Sequence, residues 1–139
     1  MPTSNVRTVN RALWTAQLLA ALIFLFAGSM KFIMSPAQMQ QGPLTMPIPF
    51  IHFIGVCECL GALGLVLPGL TRRHTVLTPL AAAGLTIIMI GAVVLSVMSM
   101  GVSAAILPAV VGMVTAWIAY ARTRIAPLDG ADRSTLRAA

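Results

Sequence analysis

One carboxylate of this chain lies where a carboxylate is costly. Of the three acidic residues, Asp129 and Asp132 lie near the C-terminus, whereas Glu58 lies within an apolar run. An ionised carboxylate in apolar surroundings is strongly destabilising unless it is paired or neutralised. Glu58 must therefore face a partner, and Lys31, the single lysine of the sequence, is the best candidate.

A pair of Lys31 and Glu58 has two interpretations. As a structural ion pair it would fix the register of two helices, with Gln17 as a further hydrogen-bonding group between helices. As a functional site it would place two polar groups in an apolar pocket, where they could move a proton or orient the polar head of a ligand. His52 could join a proton path to Glu58. The residues themselves favour neither interpretation.

The two cysteines and two histidines point to no metal site. Cys57 and Cys59 are two residues apart, so on a helix they point to nearly opposite sides and cannot easily form a disulfide. We expect two free thiols that pack as small apolar residues. No Cys/His set has zinc-ligand spacing, and His52 and His74 fall near opposite ends of one apolar run.

The elements that position these residues follow from composition. Of 139 residues, 58% are hydrophobic and only 9% are charged, whereas a soluble domain usually carries about a quarter charged residues. This small amount of polar material cannot cover a water-soluble globule. We therefore expect a lipid bilayer around the chain. The net charge of +6 comes from arginines that flank apolar runs, which indicates membrane anchoring and argues against a nucleic-acid partner.

Four apolar runs predict four transmembrane helices, each near the ~20 residues that cross a bilayer. The first run is longer than the ~7–15-residue apolar region of a signal peptide. Residues 1–124 are therefore predicted to form an all-α integral membrane four-helix bundle, and residues 125–139 a solvated cytoplasmic tail. The predicted helices cover about residues 11–34, 49–68, 78–98 and 104–122.

Proline, glycine and small residues set the limits and packing of these helices. Ser35-Pro36 is expected to end the first helix and Pro68-Gly69 the second, and Thr78 is expected to cap the third. Small residues at helical spacing predict close contact between helices, since lipid provides no hydrophobic drive for association. On the third helix these residues include Ala81, Gly84, Gly91 and Ala92.

The arginines also predict an orientation. The N-terminal segment, the turn at residues 71–74 and the segment after residue 121 are basic, whereas the other two connections carry no arginine or lysine beyond Lys31 at a helix end. Basic segments remain on the cytoplasmic side of a membrane. Both termini are therefore predicted to be cytoplasmic.

Several segments resemble a known family. Residues 26–32 close the first helix with the pattern G-x-x-K, and residues 55–61 carry the pattern G-x-x-E-x-x-G. Together with residues 65–72 and 77–82, they are similar in order and spacing to segments of DoxX-like membrane proteins. The resemblance covers most of residues 12–122 and implies a four-helix membrane bundle.

The resemblance also implies a function. The best-known relatives are membrane components of a thiosulfate:quinone oxidoreductase, and others are linked to oxidative-stress complexes. Lys31 and Glu58 match the polar positions of the family, but Ser96 stands where relatives often have a histidine, which weakens a catalytic or metal role. The resemblance thus implies a small protein of the bacterial inner membrane that is a subunit or accessory of a redox system, with quinone as its cofactor and redox subunits as partners.

Two other functions belong to different classes. A non-enzymatic assembly or chaperone-like protein would use the Lys31–Glu58 pair only for structure. A transporter or channel is disfavoured, because four short helices make a poor pore unless they form a homo-oligomer. Whether the chain is an enzyme, and whether it is a homo-oligomer, stay open at the level of sequence.

Overall fold

A computed structural model describes residues 2–41 and 45–128, and the side chains from residue 5 onwards in these ranges. In this part of the chain all regular structure is helical, which confirms the predicted all-α class. The predicted cytoplasmic tail lies outside the described residues from Asp129 onwards. The helices are α1 (Pro2–Ile33), α2 (Pro36–Met39), α3 (Ile48–Thr71), α4 (Leu77–Met100) and α5 (Val102–Arg124).

The long helices α1, α3, α4 and α5 are long and apolar enough to cross a membrane. Many of their large apolar side chains are exposed on the outside of the bundle, as expected for groups that face lipid. The chain is therefore a multi-pass membrane protein. Fully buried apolar side chains form the core inside the bundle: Leu13, Phe24, Leu65, Leu85 and Ile118.

The helix ends differ from the predicted ones where backbone geometry outweighs the apolar pattern. Helix α1 begins at Pro2, because the apolar run marks only the part that crosses lipid and proline is well suited to the first turn of a helix. Helix α3 continues through Pro68 to Thr71, and Arg72 then ends it with a left-handed backbone at φ 54°.

The start of α4 is a second difference. Thr78 was expected to be the N-cap, but α4 begins at Leu77 and no side chain caps it. In the turn before α4 the chain reverses direction at His74, whose φ is 50°. The Leu77 backbone amide donates a hydrogen bond to the His74 carbonyl oxygen at 2.8 Å. This turn places Thr78 inside the helix, where its side chain is buried.

The loop between α1 and α3 contains one short helix that the sequence pattern did not predict. Ser35 and Gln38 form a capping box in α2: the Gln38 amide donates to Ser35 Oγ at 3.4 Å, and the Ser35 amide donates to Gln38 Oε1 at 3.0 Å. The proline at residue 36 takes the first helical position. The capping box thus fixes the start of α2 shortly after the end of α1.

Successive long helices are antiparallel, and each packs against two neighbours in the order α1, α3, α4, α5 and back to α1. We call the end of the bundle that holds the start of α1, the turn after α3 and the end of α5 the terminal end. The opposite end, which holds residues 34–47 and the turn at Gly101, is the loop end. Both chain ends of the described bundle therefore lie on one side of it.

Small residues bring the helices together as predicted, with two exceptions. A Cβ added at Gly28 would lie 2.8 Å from the Gly55 carbonyl oxygen, and one at Gly64 would lie 2.7 Å from Ala81 Cβ. At Gly84 and Gly91, however, an added Cβ would meet no described atom of another element within 4 Å. These two glycines of α4 were expected to pack and do not.

Candidate functional site

The structure brings Lys31 and Glu58 into direct contact near the loop end. Lys31 Nζ donates to Glu58 Oε2 at 2.6 Å and lies 3.4 Å from the Ala27 carbonyl oxygen. Lys31 is in the last turn of α1, and Glu58 lies ~15 Å along α3 from its first residue. Because side chains tilt toward the N-terminus of their own helix and the two helices are antiparallel, these two side chains converge.

The pair is asymmetric in its burial. The Glu58 side chain is 4% exposed, whereas the Lys31 side chain is 26% exposed. Charge-assisted hydrogen bonds of this length are among the strong ones in proteins. The carboxylate is therefore satisfied inside the bundle, while the Lys31 side chain retains some exposed surface.

Glycines permit this approach of α1 to α3. A Cβ on Gly55 would lie 3.0 Å from Phe32 Cε2 and 3.3 Å from Lys31 Cβ. Gly28, one turn before Lys31, faces Cys59, since an added Cβ would lie 2.7 Å from Cys59 Sγ. The G-x-x-K and G-x-x-E-x-x-G patterns thus position the ion pair through close backbone contact.

A cavity of about 410 Å³ adjoins the pair. This volume falls in the range of ~300–1,000 Å³ that is usual for small-molecule sites. Lys31 and Glu58 supply its charged groups, and Gly91 leaves part of its α4 wall without a side chain. The other lining side chains are apolar: Met46, Phe50, Ile51, Phe53, Ile54, Ile88, Ala92 and Leu95.

His52 lies near this site but makes a different contact. Its ring stacks on Phe32, with the ring centroids 5.2 Å apart and the planes 17° from parallel. It precedes Glu58 by six residues, a rise of ~9 Å along α3 toward the loop end. The aromatic stack therefore fixes His52 against the end of α1, on the loop side of the ion pair.

Gln17 does not join the Lys31–Glu58 pair. It precedes Lys31 by fourteen residues, a distance of ~21 Å along α1. Its side chain is fully buried and donates from Nε2 to the Leu65 carbonyl oxygen of α3. Its Oε1 accepts a hydrogen bond from Arg122 Nε of α5 at 2.7 Å. Gln17 thus bonds helices together, as expected, but near the terminal end.

The residue that sequence reasoning missed is Arg122, which is 3% exposed. Its Nη1 donates to Asn10 Oδ1 at 2.7 Å and to the Ala126 carbonyl oxygen at 3.1 Å. Its guanidinium lies 5.6 Å from the centroid of the Trp14 ring, a cation–π contact. Among the described residues, Nη2 has no hydrogen-bond partner. A buried cation is thus held by neutral acceptors that join α1, α5 and the residues after α5.

A helical period in α5 could have revealed Arg122. Val111, Thr115 and Ile118 are buried at spacings of four and three residues, and Arg122 follows four residues later on the same face. Ala126 is also buried, so the first residues after α5 pack against the bundle.

The two cysteines follow the prediction from spacing. Cys57 and Cys59 are free thiols. Cys59 faces Gly28 of α1, whereas Cys57 lines the seam between α3 and α4, so the two point to different neighbours. Within the described ranges, no group of three or more His, Cys, Asp or Glu side chains is placed to hold a metal ion.

An all-helical membrane bundle with an internal Lys–Glu pair defines the class of this protein. The family model of the DoxX-like family matches residues 15–119, most of the chain. The chain belongs to the DoxX-like family, as its motifs predicted. No curated protein and no solved structure matches it.

Proposed function

We propose that the chain is a membrane component of a quinone-linked redox system, and that the cavity beside Lys31 and Glu58 binds the quinone head group. The observation that carries the proposal is the Lys31 side chain, 26% exposed, at the wall of an apolar cavity of about 410 Å³. Ligand sites of this kind have apolar walls with a few placed polar groups that orient the ligand.

The two charged side chains suit the two states of such a head group. Lys31 can donate a hydrogen bond to a quinone carbonyl oxygen without leaving Glu58, because an ammonium has three donors. Glu58 can accept a hydrogen bond from a quinol hydroxyl, because a carboxylate oxygen has more than one acceptor site. The pair can thus form hydrogen bonds with the head group in both its oxidised and its reduced state.

The second candidate is a structural role in a non-enzymatic assembly protein. The 2.6 Å contact between Lys31 and Glu58 favours it, because each charge already has its partner. A purely structural pair leaves the cavity to lipid and predicts no selective ligand. The two candidates therefore differ in whether a quinone binds and in whether the ion pair orients it.

The proposed setting is the bacterial inner membrane, with both termini in the cytoplasm. The arginines at the terminal end support this orientation, since basic segments remain on the cytoplasmic side. The loop end and the ion pair then lie in the outer half of the membrane.

Binding of ubiquinone-1 to the protein in lipid nanodiscs tests the proposal. We expect saturable binding to wild type and at least about tenfold weaker binding to Lys31→Met, which corresponds to ~1.4 kcal/mol. The matched control is Gln17→Met, which removes two buried interhelical hydrogen bonds at the terminal end and changes no residue of the cavity lining. Equal binding by wild type and Lys31→Met, or none by wild type, would overturn the proposal.

A further inference from the structure

The α3–α4 seam carries a groove that continues the cavity of the ion pair toward the terminal end. Its volume is about 570 Å³, and it shares Ile88 with the cavity beside Lys31 and Glu58. The two spaces follow the same α4 face from Leu77 to Leu95, a distance of ~27 Å. The groove and the cavity thus adjoin at Ile88 along one face of α4.

The groove is open because α4 lacks side chains where it could have packed. Gly84 lies in the groove and Gly91 in the cavity, and an added Cβ at either would meet no described atom of another element within 4 Å. Across the seam, Gly61 packs against Leu85 and Gly64 against Ala81. Glycine is a poor helix former, so two unpacked glycines on one face of α4 are costly unless the space is used.

The groove faces the lipid. Leu60, Leu80 and Ile87 line it and are 62%, 64% and 71% exposed. A molecule dissolved in the bilayer can therefore enter it sideways, without crossing a polar surface.

A second apolar groove on the bundle differs from the α3–α4 groove in its position relative to the ion pair. A groove of about 650 Å³ on the α4–α5 side is also apolar, and neither groove has a charged side chain in its own lining, but the α4–α5 groove shares no lining residue with the cavity of Lys31 and Glu58. The α3–α4 groove adjoins that cavity at Ile88. It can hold the apolar part of a molecule whose polar part lies at the ion pair.

We infer that the ligand is an amphiphile with one long apolar tail, such as a prenyl chain, and that the tail lies in the α3–α4 groove. The inference rests on the proposed quinone head site and adds that this site selects long-tailed quinones over short-tailed ones. Since lipid is as apolar as the groove, the selectivity comes from close packing of the tail against α3 and α4.

The first test compares ubiquinone-1 with ubiquinone-4 in nanodiscs, with affinities expressed per lipid. Wild type should bind ubiquinone-4 more tightly. Gly84→Leu should fill the groove and remove that preference. Its affinity for ubiquinone-4 should fall roughly tenfold, while its affinity for ubiquinone-1 stays unchanged. Ala83→Leu is the matched control, because Ala83 is the adjacent residue and lines the α4–α5 groove instead.

The second test needs no change in the groove. In a Cys59→Ala background, Cys57 is the remaining thiol and lines the groove. Ubiquinone-4 should slow its alkylation by a maleimide several-fold, and ubiquinone-1 at equal head-site occupancy should not.

The outcomes distinguish this inference from the proposed function. If both quinones bind wild type equally and both leave Cys57 reactive, the head site stands and the tail groove is overturned. If neither quinone binds, the proposed function fails, and the inference fails with it. Loss of the ubiquinone-4 preference in Ala83→Leu as well as in Gly84→Leu would also contradict the groove.

Discussion

Gln17 of α1 and Arg122 of α5 form a buried hydrogen bond of 2.7 Å between side chains 105 positions apart in the chain. Gln17 is in turn bonded to the α3 backbone at Leu65, so three helices meet at one amide side chain. This cluster closes the terminal end of the bundle, whereas Lys31 and Glu58 join α1 to α3 near the loop end. These two polar clusters are separate, and one consists of neutral acceptors around a cation whereas the other pairs opposite charges.

The first prediction concerns the geometry of the Arg122 guanidinium. Arg122→Lys should lower the stability of the protein in detergent by ~1–3 kcal/mol, because an ammonium cannot span the fork of acceptors and leaves buried oxygens unpaired. Arg124→Lys, in the same last turn but exposed, is the control and should be neutral. Equal thermal midpoints for the two variants would show that the buried fork contributes nothing.

The four helices were predictable because each crosses lipid as a continuous apolar run. The Lys31–Glu58 partnership was also inferred from sequence, since two isolated charges on neighbouring apolar helices have few other ways to be satisfied. Helix ends were less predictable. Pro68 was predicted to end α3. The helix instead continues for three residues beyond it and ends where Arg72 takes a left-handed backbone conformation.

Depth and tertiary context account for what the sequence did not reveal. Gln17 and Lys31 share a helix face, but a shared face does not mean a shared depth, and they lie in different clusters. Arg122 looked like a flanking arginine because its side-chain acceptors, Asn10 and Gln17, lie on α1, far away in sequence. Gly84 and Gly91 were interpreted as packing residues. Small residues at helical spacing can line an open groove as well as a contact between helices.

The second prediction contrasts two glycines. Gly28→Ala should destabilise the protein by ~1–3 kcal/mol, because the new Cβ would lie 2.7 Å from Cys59 Sγ and 2.8 Å from the Gly55 carbonyl oxygen. Gly84→Ala should stabilise it by up to about 1 kcal/mol, since alanine is the better helix former and the site is open. Thermal unfolding in one detergent measures both, and opposite signs are expected. A loss of stability in Gly84→Ala would mean that a closely packed neighbour fills the space.

The third prediction concerns orientation. Reporter fusions after residues 40 and 101 should report the outer side of the membrane, and fusions after residue 73 and at the C-terminus should report the cytoplasm. The physical reason is the position of the arginines, which flank the terminal end of the bundle. A fusion after residue 73 that reports outside would reverse the proposed orientation and place the Lys31–Glu58 pair in the cytoplasmic half.

The last prediction separates structure from chemistry at the ion pair. Glu58→Gln and Lys31→Met should each lower stability in detergent, because removing one partner of a buried pair strands the other charge at a typical cost of ~3–5 kcal/mol. The double variant removes both charges and should recover much of the loss.

The same three variants also decide the role of the cavity, when quinone binding is measured beside stability. A structural pair predicts that the double variant regains stability and that ubiquinone-1 binds wild type and the double variant alike, or neither. A head-group site predicts that the double variant regains stability but still binds ubiquinone-1 poorly, because no ammonium remains to donate to the carbonyl oxygen. If all three variants match wild type in both measurements, the short contact between Lys31 and Glu58 serves neither purpose. Water that reaches Glu58 through the cavity would then have to solvate the carboxylate in place of Lys31.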